Sequence, residues 1–338
     1  MKKLNFEGIY GNEYLKKYLS GAIKDGKLSH AYIIEGSKGT GKHTVVMHLL
    51  KALACTDESV PCNKCIFCKK ISSGFCIDVH RISCEEGKKT IGVEAVRQVE
   101  GLTELVPNDL DFHAVVIEDA DLMTPQAQNA FLKMLEEPDS AVYYFLITEH
   151  GDALLTTVRS RALTLRCEPL DNDTLCTALK EKFGIVCDKE SDAVKLSQGS
   201  LGMAKELFEN KNKDLLRQRS TAKRLVDLLF SECNTKHSFV LEFQKMFKLW
   251  QDTAPVLNDF MFAVRDMTVV KHWDGAELMF FESLEICEQY SMGITDAALN
   301  RLYETVSAVA SRRDTPMSLT PLFTKLASDM YDCVHKIK

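Results

Sequence analysis

Apolar residues in the first half of the chain form short runs of four to seven residues, separated by longer stretches with helical spacing. Runs of that length predict buried strands. Their alternation with helices predicts a mostly parallel sheet with helices on both faces, which is an α/β fold. The predicted strands are Ala31–Ile34, Val79–Ile82, Ala114–Ile117, Val142–Thr148 and Leu163–Arg166.

One predicted helix in this half carries signals at both ends. Thr124 is a good N-cap and Pro125 suits the first helical position, while Pro138 stops the helix. The carboxylates of Glu136 and Glu137 then lie at the negative end of the helix dipole, which calls for a nearby cation or for solvent. Of these two alternatives we favour the solvated end.

The second half has a different pattern. From Leu215 onward the spacing is helical and glycine and proline are sparse, which predicts a separate helical bundle. Short helices precede it, and residues 211–214 resemble a linker. The sequence therefore predicts an α/β domain over residues 1–168, short helices over 169–212 and a helical bundle over 213–338.

Composition narrows the class of protein. The 338 residues are 45% hydrophobic and 27% charged, which is ordinary for a globular chain, and the net charge of −6 argues against a dedicated nucleic-acid binder. No apolar run approaches the roughly 20 residues that cross a bilayer, and the N-terminus lacks the apolar stretch of a signal peptide. We expect a cytoplasmic protein with no membrane partner.

The twelve cysteines are not expected to form disulfides, because the cytosol keeps thiols reduced. Most of them are scattered along the chain and are interpreted as small core hydrophobes. These scattered cysteines are Cys84, Cys167, Cys176, Cys187, Cys233, Cys287 and Cys333.

A glycine-rich loop, Gly36-Ser37-Lys38-Gly39-Thr40-Gly41-Lys42, follows the first predicted strand and precedes a predicted helix over Thr44–Ala54. Backbone N–H groups of such a loop cradle phosphates, and its lysine adds a positive charge. An acidic pair at the end of another strand is the second expected nucleotide element. The candidate nucleotide-binding residues are Gly36, Gly39, Gly41, Lys42, Glu118 and Asp119.

Both the glycine-rich loop and the acidic pair differ from those of a working ATPase. His43 stands where a Ser or Thr hydroxyl normally binds Mg²⁺, and Thr44 is one residue too late. The acidic pair reads Glu118-Asp119, the inverse of the usual order, so a base at Asp119 is one methylene short. We therefore expect ATP binding without useful hydrolysis. The alternatives are a loop that binds nothing and a working ATPase.

Four cysteines follow the loop helix with the spacing Cys55-x6-Cys62-x2-Cys65-x2-Cys68. Thiolates at such spacing form closed tetrahedral sites, which predicts a structural Zn²⁺ in a knuckle over residues 55–76. Cys55 is the least certain ligand, since Cys76 or His80 could replace it. A cluster of reduced thiols is the alternative to a metal site.

Taken together, these motifs resemble the bacterial DNA polymerase III clamp-loader subunits of the AAA+ family, over about residues 1–165. The residues that carry the resemblance, besides the loop and the four cysteines, are Phe6-x-x-Ile9-x-Gly11, His30-Ala31-Tyr32, Glu118-Asp119-Ala120-Asp121, Ala130-Phe131-Leu132-Lys133-Met134-Leu135-Glu136-Glu137-Pro138 and Leu155-x-x-Val158-x-Ser160-Arg161-Ala162.

Two subunits of that family carry such a knuckle, the ATP-hydrolysing gamma/tau motor and the non-hydrolysing, stator-like delta-prime subunit. Three features favour delta-prime: the two defects, the absence of a long extension after residue 338, and Met203 at the position of the family's ATP-sensing arginine. A gamma/tau-type motor is the alternative. A zinc-dependent DNA-binding module is a third hypothesis, which the acidic net charge weighs against.

The resemblance also implies that residues 169–212 form a helical lid and residues 213–338 an all-α collar used for oligomerisation, and it implies partners and a role for one arginine. It implies a five-subunit ring with gamma/tau and delta subunits, which loads the sliding clamp on primer-template DNA as part of the polymerase holoenzyme. Arg161 would act in trans as an arginine finger on the ATP of the neighbouring motor. Ala162 departs from the family's cysteine, and Arg159 is the second candidate for the finger. The alternative for Arg161 is a surface salt bridge.

Overall fold

The computed structural model describes residues 3–85, 87–137, 141–209, 213–230, 235–273, 275, 277–311 and 319–335. The chain divides into two compact units. The first comprises Met1–Gly184 with Gly199–Met203, and the second comprises Ile185–Gln198 with Ala204–Lys338. The predicted division into three parts stays a prediction.

The first unit is built on a sheet whose five strands are all parallel, in the order β4-β5-β6-β2-β7. All five predicted strands are confirmed, two of them one residue longer than predicted. A second, two-stranded parallel sheet joins β1 and β3, which are too short to show a period in sequence. The strands are β1 (Lys3–Leu4), β2 (Ala31–Glu35), β3 (Ser59–Val60), β4 (Val79–Ile82), β5 (His113–Ile117), β6 (Val142–Thr148) and β7 (Leu163–Arg166).

Helices follow most strands of the first unit, as the alternating pattern predicts. Two short 3₁₀ helices lie at Ala120–Leu122 and Gly151–Ala153. The α-helices are α1 (Glu13–Asp25), α2 (Lys42–Ala54), α3 (Ile66–Ser73), α4 (Val93–Thr103), α5 (Pro125–Glu136), α6 (Thr156–Arg159) and α7 (Asn172–Phe183).

The sheet is covered on both faces because successive side chains of a strand point to opposite sides. Tyr32 and Ile34 of β2 pack in a core with α1, α2 and α3, whereas Ala31 and Ile33 pack in another with α4, α5 and α6. The predicted α/β architecture is therefore confirmed, with two cores on one sheet.

Helix α5 begins as the sequence predicts. The Thr124 hydroxyl accepts a hydrogen bond from the Ala127 N–H at 3.2 Å, and Pro125 is the first helical residue. The predicted stop at Pro138 lies outside the described residues, as do Lys211 and Asn212 of the predicted linker, and Cys233.

The second unit is all-helical, as predicted, around one large apolar core. None of the described helices combines the length and apolar character that crossing a membrane requires. The helices of this half are α8 (Asp192–Ser197), α9 (Leu201–Phe208), α10 (Lys213–Phe230), α11 (Lys236–Met246), α12 (Trp250–Val270), α13 (Leu284–Ser291), α14 (Asp296–Ala310) and α15 (Leu319–His335).

Candidate functional site

The glycine-rich loop joins the carboxyl end of β2 to the N-terminus of α2, the position where phosphate loops occur in α/β sheets. Gly39 and Gly41 have positive φ angles of 78° and 94°, which side-chain-bearing residues rarely adopt. A Cβ on Gly36 would lie 2.5 Å from the Cys167 carbonyl oxygen, so the close approach there also requires glycine. The loop thus has the backbone shape that its glycines predict.

Lys42 is turned back onto its own loop. Its Nζ donates to the carbonyl oxygens of Gly36 at 2.6 Å and Ser37 at 2.9 Å, and the residue is only 8% exposed. Two strong acceptors compensate the cost of burying the ammonium. The loop lysine therefore lies inside the cradle that a phosphate would share with it.

A segment distant in sequence holds the loop from its outer side. The Ser200 hydroxyl donates to the Lys38 carbonyl at 2.8 Å, and the Gly202 N–H donates to the Gly39 carbonyl at 3.1 Å. The Met203 nitrogen lies 3.2 Å from where a Cβ of Gly39 would stand. The segment in which the resemblance expects a sensing arginine thus borders the loop, with Met203 in it.

His43 contacts the first residue of the acidic pair. Its Nε2 lies 3.2 Å from Oε1 of Glu118. In P-loop enzymes the residue after the lysine and the acidic residue share Mg²⁺, whereas here the two side chains meet directly. Imidazole is also a poor ligand for a hard cation. The residues present do not fit the magnesium ion that the fold family implies.

The backbone conformation of Asp119 is also unusual. Its φ and ψ angles of 49° and 54° are left-handed, and its carbonyl accepts the N–H of Leu122 at the start of a 3₁₀ turn. An aspartate tolerates this conformation better than most residues. The inverted pair is thus part of a local turn that follows β5.

A cavity of about 370 Å³ opens at the loop. Of the predicted nucleotide residues, Gly39, Gly41, Lys42, Glu118 and Asp119 line it, whereas Gly36 is not among the lining residues. The sequence interpretation missed further lining residues, whose positions depend on contacts between distant segments. These are Ile9, Lys182, Phe183, Glu149 and Leu170.

The four predicted metal ligands come together. Their sulfur atoms all lie within 4.8 Å of one another, and Sγ of Cys55 and Cys65 are 4.0 Å apart. Three of the sulfurs accept backbone N–H groups: that of Cys55 from Cys62 at 3.4 Å, that of Cys62 from Cys65 at 3.3 Å, and that of Cys65 from Cys68 at 3.5 Å. A tetrahedral Zn²⁺ with Zn–S bonds near 2.3 Å requires sulfurs about 3.8 Å apart. The cluster fits such an ion.

Local hydrogen bonds favour the thiolate form at Cys62, whereas burial opposes it at Cys55 and Cys68. The N–H groups of Lys64 and Cys65 lower the pKa of Cys62 to about 6, whereas burial raises the pKa of Cys68 to about 12. Among the residues that the structure describes, neither of the alternative fourth ligands joins the group. His80 instead contacts His113, with 3.2 Å between Nε2 and Nδ1.

Arg161, the candidate finger, lies at the surface just after α6. Its Nη2 pairs with Glu136 Oε1 at 2.7 Å, and its Nη1 donates to the Thr157 carbonyl at 3.0 Å. The preference for a solvated end of α5 is therefore wrong, because Arg161 supplies the cation near the carboxyl end of that helix. Its side chain remains 37% exposed.

A buried amide holds the segment that leads to Arg161. Gln128 of α5 accepts the Leu155 N–H at 2.7 Å through Oε1, and its Nε2 donates to the Met123 carbonyl at 3.2 Å. The residue is 3% exposed. The sequence analysis missed this role, and a glutamine beside an apolar stripe gave no signal for it. Gln128 fixes the start of α6 and, through it, the position of the arginine.

The chain is similar in sequence to known subunits of DNA polymerase III. Residues 11–171 match the family model described as DNA polymerase III, delta subunit. The chain is 27% identical to the delta' subunit of Bacillus subtilis over 84% of this chain and 85% of that one. It is 33% identical to the delta' subunit of Escherichia coli over 57% of this chain and 59% of that one. It is also 29% identical to the gamma subunit of Buchnera aphidicola, over 75% of this chain and 69% of that one.

These relatives differ in how much of their length the chain spans, from 59% of the Escherichia coli protein to 85% of the Bacillus subtilis one. The gamma and delta' types match at comparable identity. The family model and two of the relatives are nevertheless of the delta and delta' types, and the chain combines a five-stranded parallel sheet with a four-cysteine cluster. These matches support the assignment of the chain to the clamp-loader subunits of DNA polymerase III, of the delta-prime type.

Proposed function

We propose that this chain is the stator-like delta-prime subunit of a DNA polymerase III clamp loader and presents Arg161 to ATP bound by the neighbouring motor subunit. Transferring phosphoryl groups develop charge on their oxygens, which an arginine from another subunit stabilises. The chain itself does not hydrolyse ATP at a useful rate.

This proposal rests on the exposure and the contacts of the Arg161 guanidinium. Its guanidinium is more than one third exposed and is oriented at both terminal nitrogens, by Glu136 and by the Thr157 carbonyl. A finger must be accessible to a partner and held in a defined direction, since misplacement by about 1 Å can cost ~10²-fold in rate. Arg159 is also exposed and is the second candidate.

The absence of intrinsic turnover rests on the His43–Glu118 contact and on the inverted acidic pair. A catalytic phosphate loop needs a hydroxyl and a carboxylate on Mg²⁺, and a carboxylate that orients water. Here the first position has an imidazole that binds the carboxylate. These features support a subunit that serves a neighbour's ATP rather than its own.

The four cysteines would hold a structural Zn²⁺. Four thiolates leave no open coordination position, so the ion would stabilise the knuckle and would take no part in catalysis. Cys55 comes directly after α2 and Cys65 caps α3, so the ion would tie the end of the loop helix to the knuckle.

The remaining parts of the proposal follow the family. The chain would work in the cytoplasm in a five-subunit ring with gamma/tau and delta subunits, and through that complex with the sliding clamp and primer-template DNA. Its residues 1–168, 169–212 and 213–338 would form the nucleotide-fold domain, the lid and the collar that packs in the ring.

Reconstituted loader with the wild-type chain or the Arg161→Ala variant tests the proposal, through clamp- and DNA-stimulated ATPase. Loss of an arginine finger costs about 10³–10⁵ in rate at the site it serves, so turnover at that one site should fall to background. Arg159→Ala compares the second candidate directly: it should leave the rate unchanged if Arg161 is the finger, and it should abolish turnover at that site if Arg159 is. An unchanged rate for Arg161→Ala, with the ring intact by size, rejects the finger.

A gamma/tau-type motor is the second candidate, which the retained loop shape and the gamma relative favour. The two functions differ in the behaviour of the pure chain. A motor hydrolyses Mg-ATP, and Lys42→Ala abolishes the activity. The stator shows the same background rate with and without that substitution.

A further inference from the structure

We propose that the phosphate loop of this chain binds a nucleoside diphosphate without a divalent cation. This inference extends the proposed absence of turnover and does not depend on the role of Arg161. The loop keeps the geometry that binds phosphate. The residues around it, however, exclude the metal ion that normally accompanies a nucleotide.

The phosphate-binding half of the site is preserved. Gly39 and Gly41 hold the turn with positive φ angles, and α2, thirteen residues long, begins at Lys42. Lys42 is bound only to carbonyl oxygens of the loop itself, so an incoming phosphate can replace them as its partner. A phosphate there receives loop N–H groups, the helix N-terminus and an ammonium.

Further cations lie around the same cavity. Lys38 and Lys182 both line it and are exposed, and neither pairs with a carboxylate within the part of the chain that the structure describes. The Nζ of Lys182 stands 5.8 Å from the ring centre of Phe183. With Lys42, three ammonium groups are available for the charge of two phosphates.

The metal-binding half of the site is lost. The His43 imidazole and the Glu118 carboxylate meet at 3.2 Å, at the positions that would otherwise share Mg²⁺. Mg²⁺ requires near-ideal octahedral oxygen ligands and gains none from an imidazole. Binding of a nucleotide therefore gains nothing from the protein's contact with the ion.

The carboxylates of Glu118 and Asp119 limit how many phosphates the ligand can carry. Glu118 and Asp119 line the cavity on the side of His43, and without Mg²⁺ no metal ion lies between them and a third phosphate. Like charges at short range repel, so a triphosphate should bind more weakly than a diphosphate. Ile9, Leu170 and Phe183 provide apolar surface for a base.

Calorimetric titration of the full chain with ADP and with ATP, each in excess Mg²⁺ or in EDTA, tests the inference. We expect ADP to bind at least as tightly in EDTA as in Mg²⁺, and tighter than ATP in EDTA. Lys42→Ala should abolish binding, and the exposed Lys182→Ala should weaken it by about three- to tenfold, or roughly 0.7–1.4 kcal/mol.

The His43→Ser variant provides the matched comparison, because it restores a hydroxyl and releases Glu118. Its affinity for ADP should rise with Mg²⁺, unlike that of the wild type. Binding to the wild-type chain that Mg²⁺ strengthens by about tenfold or more overturns the inference. So does the absence of ADP binding in either buffer, or unchanged binding to Lys42→Ala. None of these outcomes affects the Arg161 assay, which depends on ATP held by another subunit.

Discussion

Nε2 of His43 lies 3.2 Å from Oε1 of Glu118, so two side chains that a P-loop ATPase joins through Mg²⁺ are in direct contact. The histidine is about half exposed and the glutamate one quarter, so the contact forms at the mouth of the cavity rather than in the core. It closes the metal position without altering the loop. In the function proposed above, phosphate binding and phosphate chemistry are thereby separated.

The first prediction concerns turnover by the pure chain. Wild type and Lys42→Ala should hydrolyse Mg-ATP at the same background rate in a coupled assay, because neither can place Mg²⁺. His43→Ser should also remain at background, since Asp119 is still one methylene short and in a left-handed turn. Steady hydrolysis by wild type that Lys42→Ala removes would contradict the blocked site.

The second prediction concerns Glu136, which holds Arg161. The pair is substantially exposed, so Glu136→Gln should change the free energy of unfolding by no more than ~1 kcal/mol. In reconstituted loader the same change should lower stimulated ATPase by about three- to tenfold, because the guanidinium loses the contact that orients its Nη2.

The matched control for that experiment is Glu137→Gln, an exposed neighbour outside the pair. It should leave both stability and ATPase unchanged. Equal rates for the two variants would mean that Glu136 does not position the arginine. A rise in rate with Glu136→Gln would mean that the pair restrains Arg161 instead of presenting it.

Local sequence patterns were sufficient to predict much of the fold. Five apolar runs predicted the five strands of the sheet, and Thr124 with Pro125 predicted the start of α5. In each case the signal lies within a few residues of the feature. The pair β1–β3 was missed because two-residue strands show no period and are defined only by their pairing.

The sequence predicted which residues form the candidate site, but it did not predict which residues they contact. The missing hydroxyl at His43 is visible in the sequence, but its contact with Glu118 spans 75 positions and depends on the order of strands. The same is true of Ser200, which reaches the loop at Lys38 from 162 positions away. Such contacts follow from packing, which a local pattern does not encode.

The third prediction is about one zinc ion per chain. Cys65→Ser should lose the metal, measured by elemental analysis, because three thiolates remain where a closed site needs four ligands. Chelation should lower the unfolding temperature, since zinc in small sites contributes about 10–16 kcal/mol in apparent terms. Cys84→Ser, outside the cluster, should keep its zinc. Metal-free wild-type protein of unchanged stability would reject the site.

The last prediction concerns pH and Asp78, a fully buried carboxylate just before β4. It accepts backbone N–H groups of Asn108, Asp109 and Leu110 at 2.9, 2.5 and 2.8 Å. Burial alone would raise the pKa of Asp78, but these three donors outweigh it and hold the pKa below its ordinary value. A carboxyl with a lowered pKa stabilises the fold above its unfolded value near 3.9, and that contribution is lost as the pH falls below it.

Asp78→Asn should therefore lower the free energy of unfolding by about 2 kcal/mol or more at pH 7, because the amide offers one acceptor and brings its own donors to three N–H groups. At pH 3 the difference from wild type should shrink, since the carboxyl of the unfolded chain is protonated below its pKa near 3.9 and folding must then release that proton. Urea unfolding at the two pH values measures both differences. The exposed Asp111→Asn is the control and should show neither effect. Equal losses at both pH values would show that the charge of Asp78 does not hold the loop over residues 108–110, and that only its shape does.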